Sequence, residues 1–394
     1  MGHKVSITDP APQGATVAFV RDDLLMHGRI WTVLFSVVIL TTASASAAHV
    51  NSMQDAAYKV KKKHTAVKRH TAVKHKPTPK APKHATPVPI TPVPITPVPV
   101  TPVPVTPVPA TPTPIVSTGS ATIAGCPLFP ADNPWRRNVS ADPIAPQSGS
   151  WITNIGTSGH LHPDFGSDPS YGIPYVVVPA SQTKVPITFT DYGDESDPGP
   201  YPVPLNAPKE AGGDAHVLVA SGDCHLYELY GAQRTSDGWA AASGAVFDLQ
   251  SNALRPDGWT SADAAGLPIL PGLVRPDEIA AGHIDHALRF TVSRTQRGYI
   301  HPATHQAGST TDSNVIPMGA RLRLKASFDT SSYHGAALII LKTLKTYGMI
   351  VADNGSNWYI SGATYTGWND DDLNQLKNVA GGNFEVVSSG PVLH

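Results

Sequence analysis

The chain has 394 residues, of which 41% are hydrophobic and 15% are charged, and its formal net charge at pH 7 is −1. Its charges are unevenly distributed, because residues 51–115 carry 10 Lys and Arg and a single acid, whereas residues 116–394 carry 16 Lys and Arg and 26 Asp and Glu. The acidic part has no basic stripe with interleaved aromatic residues, so we expect no nucleic-acid partner.

The first predicted element is a signal peptide over residues 1–48. The apolar run 30–40 follows Arg29 and precedes a stretch of small residues. A membrane span needs about 20 apolar residues, whereas a signal-peptide core needs roughly 7 to 15. The alternative is an uncleaved anchor. Three aspartates precede Met26, which makes Met26 the expected start. We therefore expect a secreted, extracellular protein associated with the cell wall.

Residues 49–115 form the second predicted element, a tether. A basic segment leads into six copies of a five-residue unit: TPVPI, TPVPI, TPVPV, TPVPV, TPVPA and TPTPI. Proline fixes φ and lacks the amide donor, so alternate prolines favour polyproline II with a reach on the order of 90 Å. The basic segment predicts contact with an anionic surface such as wall polymer, and a solubilising linker is the alternative.

Residues 116–394 are expected to form one globular, monomeric domain. Short strand-like runs recur between turn residues, at 175–178, 185–190, 215–220, 225–230, 245–249, 286–292, 320–326, 349–352 and 358–360. Such a pattern predicts a mainly β fold, an antiparallel β-sandwich or jelly roll. Asn354-Gly355 predicts a type I′ turn between the last two strands.

Two segments of this domain have helical patterns, 336–347 and 370–378. The first places Ala337, Leu341 and Leu344 on one face, and the second opens with three aspartates that suit the positive end of a helix dipole. Both are expected to pack on the sheets.

The two cysteines, Cys126 and Cys224, both lie in the part predicted to be exported. In an oxidising compartment a disulfide between them is expected, and two buried free thiols are the alternative.

The common catalytic motifs of serine esterases, zincins and nucleotide enzymes are absent from the sequence. A carboxylate pair is one remaining candidate, because Glu228 and Asp248 lie in consecutive strand-like runs. A three-residue loop between the strands would put both carboxylates on one face at a glycosidase separation. A two-residue Asp-Gly loop would put them on opposite faces.

The densest group of polar residues runs from 285 to 305. Its members are Asp285, His286, Arg289, Tyr299 and His305. Arg, His and Tyr together suit a uronate lyase, because the cation neutralises the carboxylate while the other two move protons. A hydrolase would use Asp285 with His305, and the structural alternative is a salt bridge with hydrogen-bonded histidines.

A metal site is the weakest of the chemical candidates. His160 and His162 have the spacing that puts two imidazoles on one strand face, and Asp164 follows closely. Histidines on the surface or capping loops are the favoured interpretation, and no metal or other cofactor is expected to be required.

Two further groups suggest binding. The carboxylates of Asp194, Glu195 and Asp197 would suit a structural calcium ion, with a solvated acidic loop as the alternative. Trp239 and Trp259 are candidate sugar-stacking platforms, although a core position is common for tryptophan.

These features together predict an exported, surface-tethered, carbohydrate-active protein whose partner is a polysaccharide or cell-wall polymer. Cleavage of glycosidic bonds, by a hydrolase or a uronate lyase, is the favoured activity. A non-catalytic carbohydrate-binding or adhesion module is the alternative.

Overall fold

The computed structural model describes residues 122–394. The predicted signal peptide (1–48) and tether (49–115) lie outside the described residues. Within the described part, no helix has the length and apolar character needed to cross a membrane.

Residues 122–394 contain fifteen strands and four α-helices. The strands are β1 (Thr122–Ile123), β2 (Cys126–Pro127), β3 (His162–Pro163), β4 (Tyr175–Val178), β5 (Ile187–Phe189), β6 (Val217–Ser221), β7 (His225–Tyr230), β8 (Gln233–Arg234), β9 (Trp239–Ala241), β10 (Ser243–Asp248), β11 (Leu288–Val292), β12 (Arg321–Leu324), β13 (Met349–Asn354), β14 (Tyr359–Ile360) and β15 (Phe384–Val387). The helices are α1 (Ser148–Ile155), α2 (Pro276–Ala281), α3 (Gly335–Thr346) and α4 (Asp370–Asn374). The prediction of a mainly β fold is confirmed.

The strands form four sheets. Their orders are β10-β7-β6-β4, β15-β12-β13-β11-β14-β3, β5-β9-β8 and β1-β2. Four strand pairs are parallel, namely β11 with β13, β14 with β3, β4 with β6 and β5 with β9. The three larger sheets are therefore mixed, whereas the sequence pattern predicted antiparallel sheets.

The four-stranded sheet lies between two hydrophobic cores. Along β6 the side chains alternate, so that Leu218 and Ala220 contribute to the main core while Val217 and Val219 contribute to the second core. The second core also contains residues of β9 in the three-stranded sheet. Because both faces of β6 are covered, all five of its residues are buried, as the period-two geometry of a strand requires.

Both predicted helices are confirmed. Helix α3 buries Ala337, Leu341 and Leu344, the residues that the helical period placed on one face. Helix α4 begins after Asn369, whose side chain accepts hydrogen bonds from two backbone N–H groups, and a 3-10 turn continues it to Asn378.

Helices α1 and α2 were not predicted from the sequence. Helix α1 contains Ser and Gly in its first turn, so its buried residues Trp151, Ile152 and Ile155 span only two turns. Helix α2 has only six residues, with Pro276 at its first position and Gly282 in the left-handed conformation after its end. Both are too short to give a clear 3.6-residue period.

The expected disulfide is present between Cys126 and Cys224. It joins β2, near the start of the described chain, to the turn that precedes β7, and the two cysteines are 98 residues apart in sequence. Such a cross-link restricts the unfolded chain, and the entropy model values a loop of this length at up to about 4.7 kcal/mol.

The predicted type I′ turn at Asn354-Gly355 is wrong. That turn requires positive φ at both central residues, and neither residue has it. Strands β13 and β14 lie on opposite sides of β11, one parallel to it and the other antiparallel. The intervening loop therefore passes over the end of β11, and this crossing forms one wall of the site described next.

Candidate active site

A cleft of about 320 Å³ lies beside β11, β13 and β14, and the loops 164–173 and 210–216 form its other walls. Eight of its seventeen lining residues are charged or titratable. The charged and titratable residues that line it are Asp164, Tyr171, Glu210, Asp214, His216, Arg289, Asp353 and Tyr359. These side chains come from five separate segments, which the fold brings together.

Arg289 lies on β11 at the base of the cleft, and its side chain is only 4% exposed. Its neighbours Leu288 and Phe290 pack in the main core, so strand alternation directs Arg289 away from that core. Asp263 accepts two hydrogen bonds from the guanidinium, at 3.0 and 2.9 Å, and Ser361 Oγ accepts a third at 2.6 Å. Burial would lower the pKa of Arg289, but the charge of Asp263 outweighs it and raises the pKa.

His216 forms a buried pair with Glu210 at the side of the cleft. His216 Nδ1 is hydrogen-bonded to Glu210 Oε2, and Nε2 lies 3.0 Å from the carbonyl oxygen of Ala262. Burial would raise the pKa of Glu210, but the hydrogen bond and charge of His216 outweigh it and lower the pKa. The same pair raises the pKa of His216 against the effect of burial. Glu210 is therefore held in its ionised form.

Asp353 owes its position to a β-bulge. Strand β13 runs in register with β11 as far as Val351 opposite Phe290, and Asp353 is then paired with Thr291, so Ala352 is left without a partner on β11. The extra residue changes the alternation and puts Asp353 on the face that carries Thr291 and lines the cleft. Without the bulge, Asp353 would face the core.

The pKa of Asp353 is raised to about 7, first by burial and second by the charge of Asp263. Arg289 lowers that pKa in part, since its Nη2 atom lies 3.9 Å from an oxygen of Asp353. The carboxyl group thus keeps a proton over a range in which an exposed aspartate has lost it.

Aromatic rings and a further carboxyl group complete the walls. Tyr359 stacks on His162 with ring centroids 4.0 Å apart. Asp164 follows β3, and burial raises its pKa while the nearby His162 lowers it in part. Tyr171 is 54% exposed at the edge of the cleft. A sugar ring could lie against such a tyrosine face.

The residues between 285 and 305 do not converge as the sequence suggested. Of the five candidates Asp285, His286, Arg289, Tyr299 and His305, Arg289 alone lines the cleft. His286 is buried and lies 3.0 Å from Glu278, whereas Asp285 is 3.4 Å from His283. The five candidates are close in sequence, but β11 ends at Val292, before the chain reaches Tyr299 and His305.

The two remaining members lie in networks of their own. His305 Nδ1 lies 2.7 Å from the carbonyl oxygen of Ala264, and its Nε2 lies 3.9 Å from Glu195. Tyr299 is buried and contacts Asp257, whose carboxylate also pairs with His301 at 2.8 Å. The structural alternative, a salt bridge with hydrogen-bonded histidines, describes the geometry of this region.

The carboxylate pair of Glu228 and Asp248 is not formed. Glu228 is opposite Ala245 and Asp248 is opposite His225, so the two side chains point to opposite faces of the sheet. The expected short hairpin loop is replaced by a connection that contains β8 and β9.

Glu228 is instead an interior group. It is fully buried and accepts hydrogen bonds from the backbone N–H groups of Ile269 (2.8 and 3.0 Å) and Leu270 (2.9 Å). Burial raises its pKa to about 7, although these N–H groups oppose the shift.

The two tryptophans differ in accessibility. Trp239 is 3% exposed within the second core, so its ring is not available to a sugar, and this prediction is wrong. Trp259 is partly buried, and the guanidinium of Arg255 lies 5.6 Å from its ring.

The weak metal candidates are separated by the fold. His160 is exposed and forms a β-bridge with Ala380, whereas His162 stacks on Tyr359. Within residues 122–394 no group of three or more His, Cys, Asp or Glu side chains has an arrangement suited to a metal ion. In the acidic loop, Asp197 pairs with Arg255.

Glu195 in the same loop accepts a hydrogen bond from the backbone N–H of Thr260 at 3.0 Å. Asp194 is exposed. Two of the three carboxylates considered for calcium are thus bound to protein groups.

Asp353, Glu210 and Asp263 were not identified from the sequence. Asp353 stands at the end of a strand-like run, which is a typical place for a functional side chain. The bulge that aims it into the cleft has no sequence signal, since MIVADN reads as an ordinary strand. Comparison of the chain with protein-family models, with curated proteins and with solved structures gives no match.

Proposed function

We propose that this protein hydrolyses glycosidic bonds of a polysaccharide, with Asp353 as the proton donor and Glu210 as the ionised carboxylate. The observation that supports this assignment is that two carboxyl groups in different surroundings line one cleft, with Glu210 hydrogen-bonded to His216 and Asp353 placed there by the bulge of β13. The pKa of Asp353 is raised to about 7, and the pKa of Glu210 is lowered. Two carboxyl groups pushed in opposite directions are what acid and base roles in a glycosidase require.

The reaction consumes one water molecule for each bond broken. The Asp353 proton passes to the glycosidic oxygen as its bond to the anomeric carbon breaks, and the positive charge that develops on the sugar ring lies near ionised Glu210. Water supplies the hydroxyl group at the anomeric carbon. Its remaining proton passes to Asp353 if Glu210 has bonded to the sugar, or to Glu210 if Glu210 activates the water, and in the second case proton exchange with solvent restores both carboxyl groups. Whether the product keeps or inverts its anomeric configuration reports whether Glu210 attacks the sugar or activates the water.

Hydrolysis fits the cleft better than uronate elimination. A lyase needs a cation that is free to neutralise the substrate carboxylate. All three guanidinium nitrogens of Arg289 are already bonded, Nε and Nη2 to Asp263 and Nη1 to Ser361. The contacts of Glu210 with His216, by contrast, all use the single oxygen Oε2. A non-catalytic module is the alternative function, and the exposed ring of Tyr171 would serve it equally well.

The setting of this activity rests on the sequence outside the described residues. We propose that residues 1–48 export the protein and that the basic segment of 49–115 holds it near an anionic wall polymer or membrane surface. The six Pro-rich units would then extend residues 116–394 away from that surface. A sandwich or jelly-roll arrangement of the sheets likewise stays a prediction.

The test is an assay of the full-length chain on a panel of wall and extracellular glycans. New reducing ends are measured together with the ultraviolet absorbance of unsaturated uronates. We expect new reducing ends without that absorbance, and a loss in kcat of about 10²- to 10⁴-fold in Asp353→Asn and in Glu210→Gln.

Asp371→Asn is the matched control, because Asp371 is exposed in the first turn of α4 and does not line the cleft. It should retain the wild-type rate. Retention of glycans on an affinity column without any cleavage would overturn the hydrolase assignment and support the binding module.

A further inference from the structure

We infer that the glycan taken by this cleft carries protonated amino groups and not carboxylates. This inference rests on the proposed function and specifies its substrate class. Some charged side chains in the cleft are paired with other protein groups, and the inference follows from those that are not.

The two cations of the cleft are already neutralised. Arg289 is held by Asp263, which is itself fully buried behind it. His216 is hydrogen-bonded to Glu210, and both members of that pair are shifted towards their charged forms. Neither pair offers a net positive charge to a substrate.

Three carboxyl groups remain on the cleft walls, those of Asp164, Asp214 and Asp353. Among residues 122–394, no Lys, Arg or His forms a salt bridge with the side chain of Asp164 or Asp214, and the one cation near Asp353 is Arg289 at 3.9 Å. The raised pKa of Asp353 weakens its negative charge near neutral pH, so most of the surplus negative charge falls on Asp164 and Asp214. A ligand that enters between these walls meets a net negative field.

Asp164 and Asp214 are exposed, so their charges act through solvent. They still repel a substrate carboxylate and attract an ammonium group. The rings of Tyr171 and Tyr359, which also line the cleft, favour a cation in the same way through their negative faces. Asp214, at the outer wall, is the residue that we assign to the substrate amine. A uronate polymer is the class that the cleft excludes.

The experiment compares three oligosaccharides on the full-length chain: a chitosan oligosaccharide, its N-acetylated counterpart and an oligogalacturonate. The first two share a backbone and differ only in the charge of the amine. We expect kcat/KM to be about tenfold higher for the amine-bearing chain than for the acetylated one. This preference should shrink as salt is added, because screening weakens the attraction.

Asp214→Asn should remove most of the preference, while Asp371→Asn should keep it. Binding to the Asp353→Asn variant, measured by calorimetry, supplies a readout that does not depend on turnover. Equal or faster cleavage of the acetylated chain or the oligogalacturonate would overturn the charge preference and leave hydrolysis standing. Preferential binding of the amine-bearing chain without cleavage of any glycan would overturn hydrolysis and support the charge preference.

Discussion

Among residues 122–394, two clusters that combine arginine, histidine and carboxylate side chains differ in access, since one lines a cleft and the other is closed. The cleft cluster consists of Arg289, Asp263, His216, Glu210 and Asp353. The helix α2 cluster consists of Arg275, Glu278 and His286. In the helix α2 cluster, Glu278 lies 2.7 Å from Arg275 and 3.0 Å from His286, and the three side chains are 0 to 4% exposed.

The difference lies in charge balance and access. Burial would raise the pKa of Glu278, but the charges of Arg275 and His286 outweigh it and lower the pKa, so Glu278 stays ionised within a closed network. In the cleft, by contrast, Asp353 has a raised pKa and borders free volume. Residue types alone therefore do not mark a functional site, and the useful sign is a titratable group that is shifted and accessible.

The largest effect should come from removing the charge of Glu278. Glu278→Gln leaves the Arg275 guanidinium buried without its closest anion, and loss of one partner of a buried ion pair costs about 3 kcal/mol or more. We expect the free energy of unfolding in urea to fall by about that amount. The kcat of the folded fraction should not change.

Asp353→Asn provides the reciprocal test, with a large loss of kcat and little loss of stability. A Glu278→Gln protein that folds normally but turns over slowly would show that the helix α2 cluster takes part in the chemistry, and the distinction between the two clusters would fail.

The second prediction concerns pH and compares Glu228 with Asp353. Burial raises the folded-state pKa of both groups to about 7, from ordinary values of 4.5 and 3.8. The folded state therefore binds protons more tightly than the unfolded state does. This tighter proton binding stabilises the folded state. The stabilisation is fully present below about pH 4 and is lost as the pH rises to about 7.

Carboxylates with lowered pKa values, such as Glu210 and Glu278, act in the opposite direction, so the prediction is a difference between proteins. From about pH 4 to 7, the free energy of unfolding of Glu228→Gln and of Asp353→Asn should fall less, or rise more, than that of the wild type. Catalytic rate should fall above about pH 7 because the acid Asp353 loses its proton. Of the two groups, only Asp353 faces the cleft, so Glu228→Gln should leave the pH profile of kcat in place. A shift of that profile in Glu228→Gln would contradict the assignment.

The third prediction compares the two arginines by conservative substitution. Lysine keeps the charge but loses the two parallel hydrogen bonds to Asp263, so Arg289→Lys should lower the free energy of unfolding by about 1 to 2 kcal/mol. It should also raise the pKa of Asp353, because the cation that partly lowers that pKa is less firmly placed. The alkaline limb of the kcat profile would then move to higher pH.

Arg275→Lys is the matched variant in the closed cluster. It should destabilise the protein without moving the alkaline limb. If both substitutions moved the alkaline limb equally, the cause would be a general change in the folded structure and not the loss of a contact with Asp353.

The sequence predicted the strands of this protein far better than the grouping of its polar residues. All nine strand-like runs overlap observed strands, because alternation and turn residues are local properties. The strand pairing is not local. Strand β12 and helix α3 lie between β11 and β13 in sequence, so the parallel pairing of β11 with β13 depends on where those two elements pack. The sequence of β13, MIVADN, does not indicate this pairing.

Arg289 and His286 illustrate the same limit at the level of the site. They are three residues apart, yet Arg289 pairs with Asp263 in the cleft and His286 pairs with Glu278 in the closed cluster. Arg289 was identified because it belongs to the densest group of polar residues in the sequence. Its partners lie 26 and 72 residues away in sequence, so no spacing rule could find them.

The smallest expected effect concerns the cleft edge. Tyr171 is 54% exposed, so Tyr171→Ala removes no buried contact of the core and should not change the free energy of unfolding measurably. If a sugar lies against the ring, the substitution should weaken glycan binding by about threefold to tenfold. Tyr365→Ala is the matched control, since Tyr365 is also exposed, at 46%, but does not line the cleft. Calorimetry with the Asp353→Asn background separates binding from turnover, and equal weakening by both substitutions would place the glycan along the outer surface instead of within the cleft.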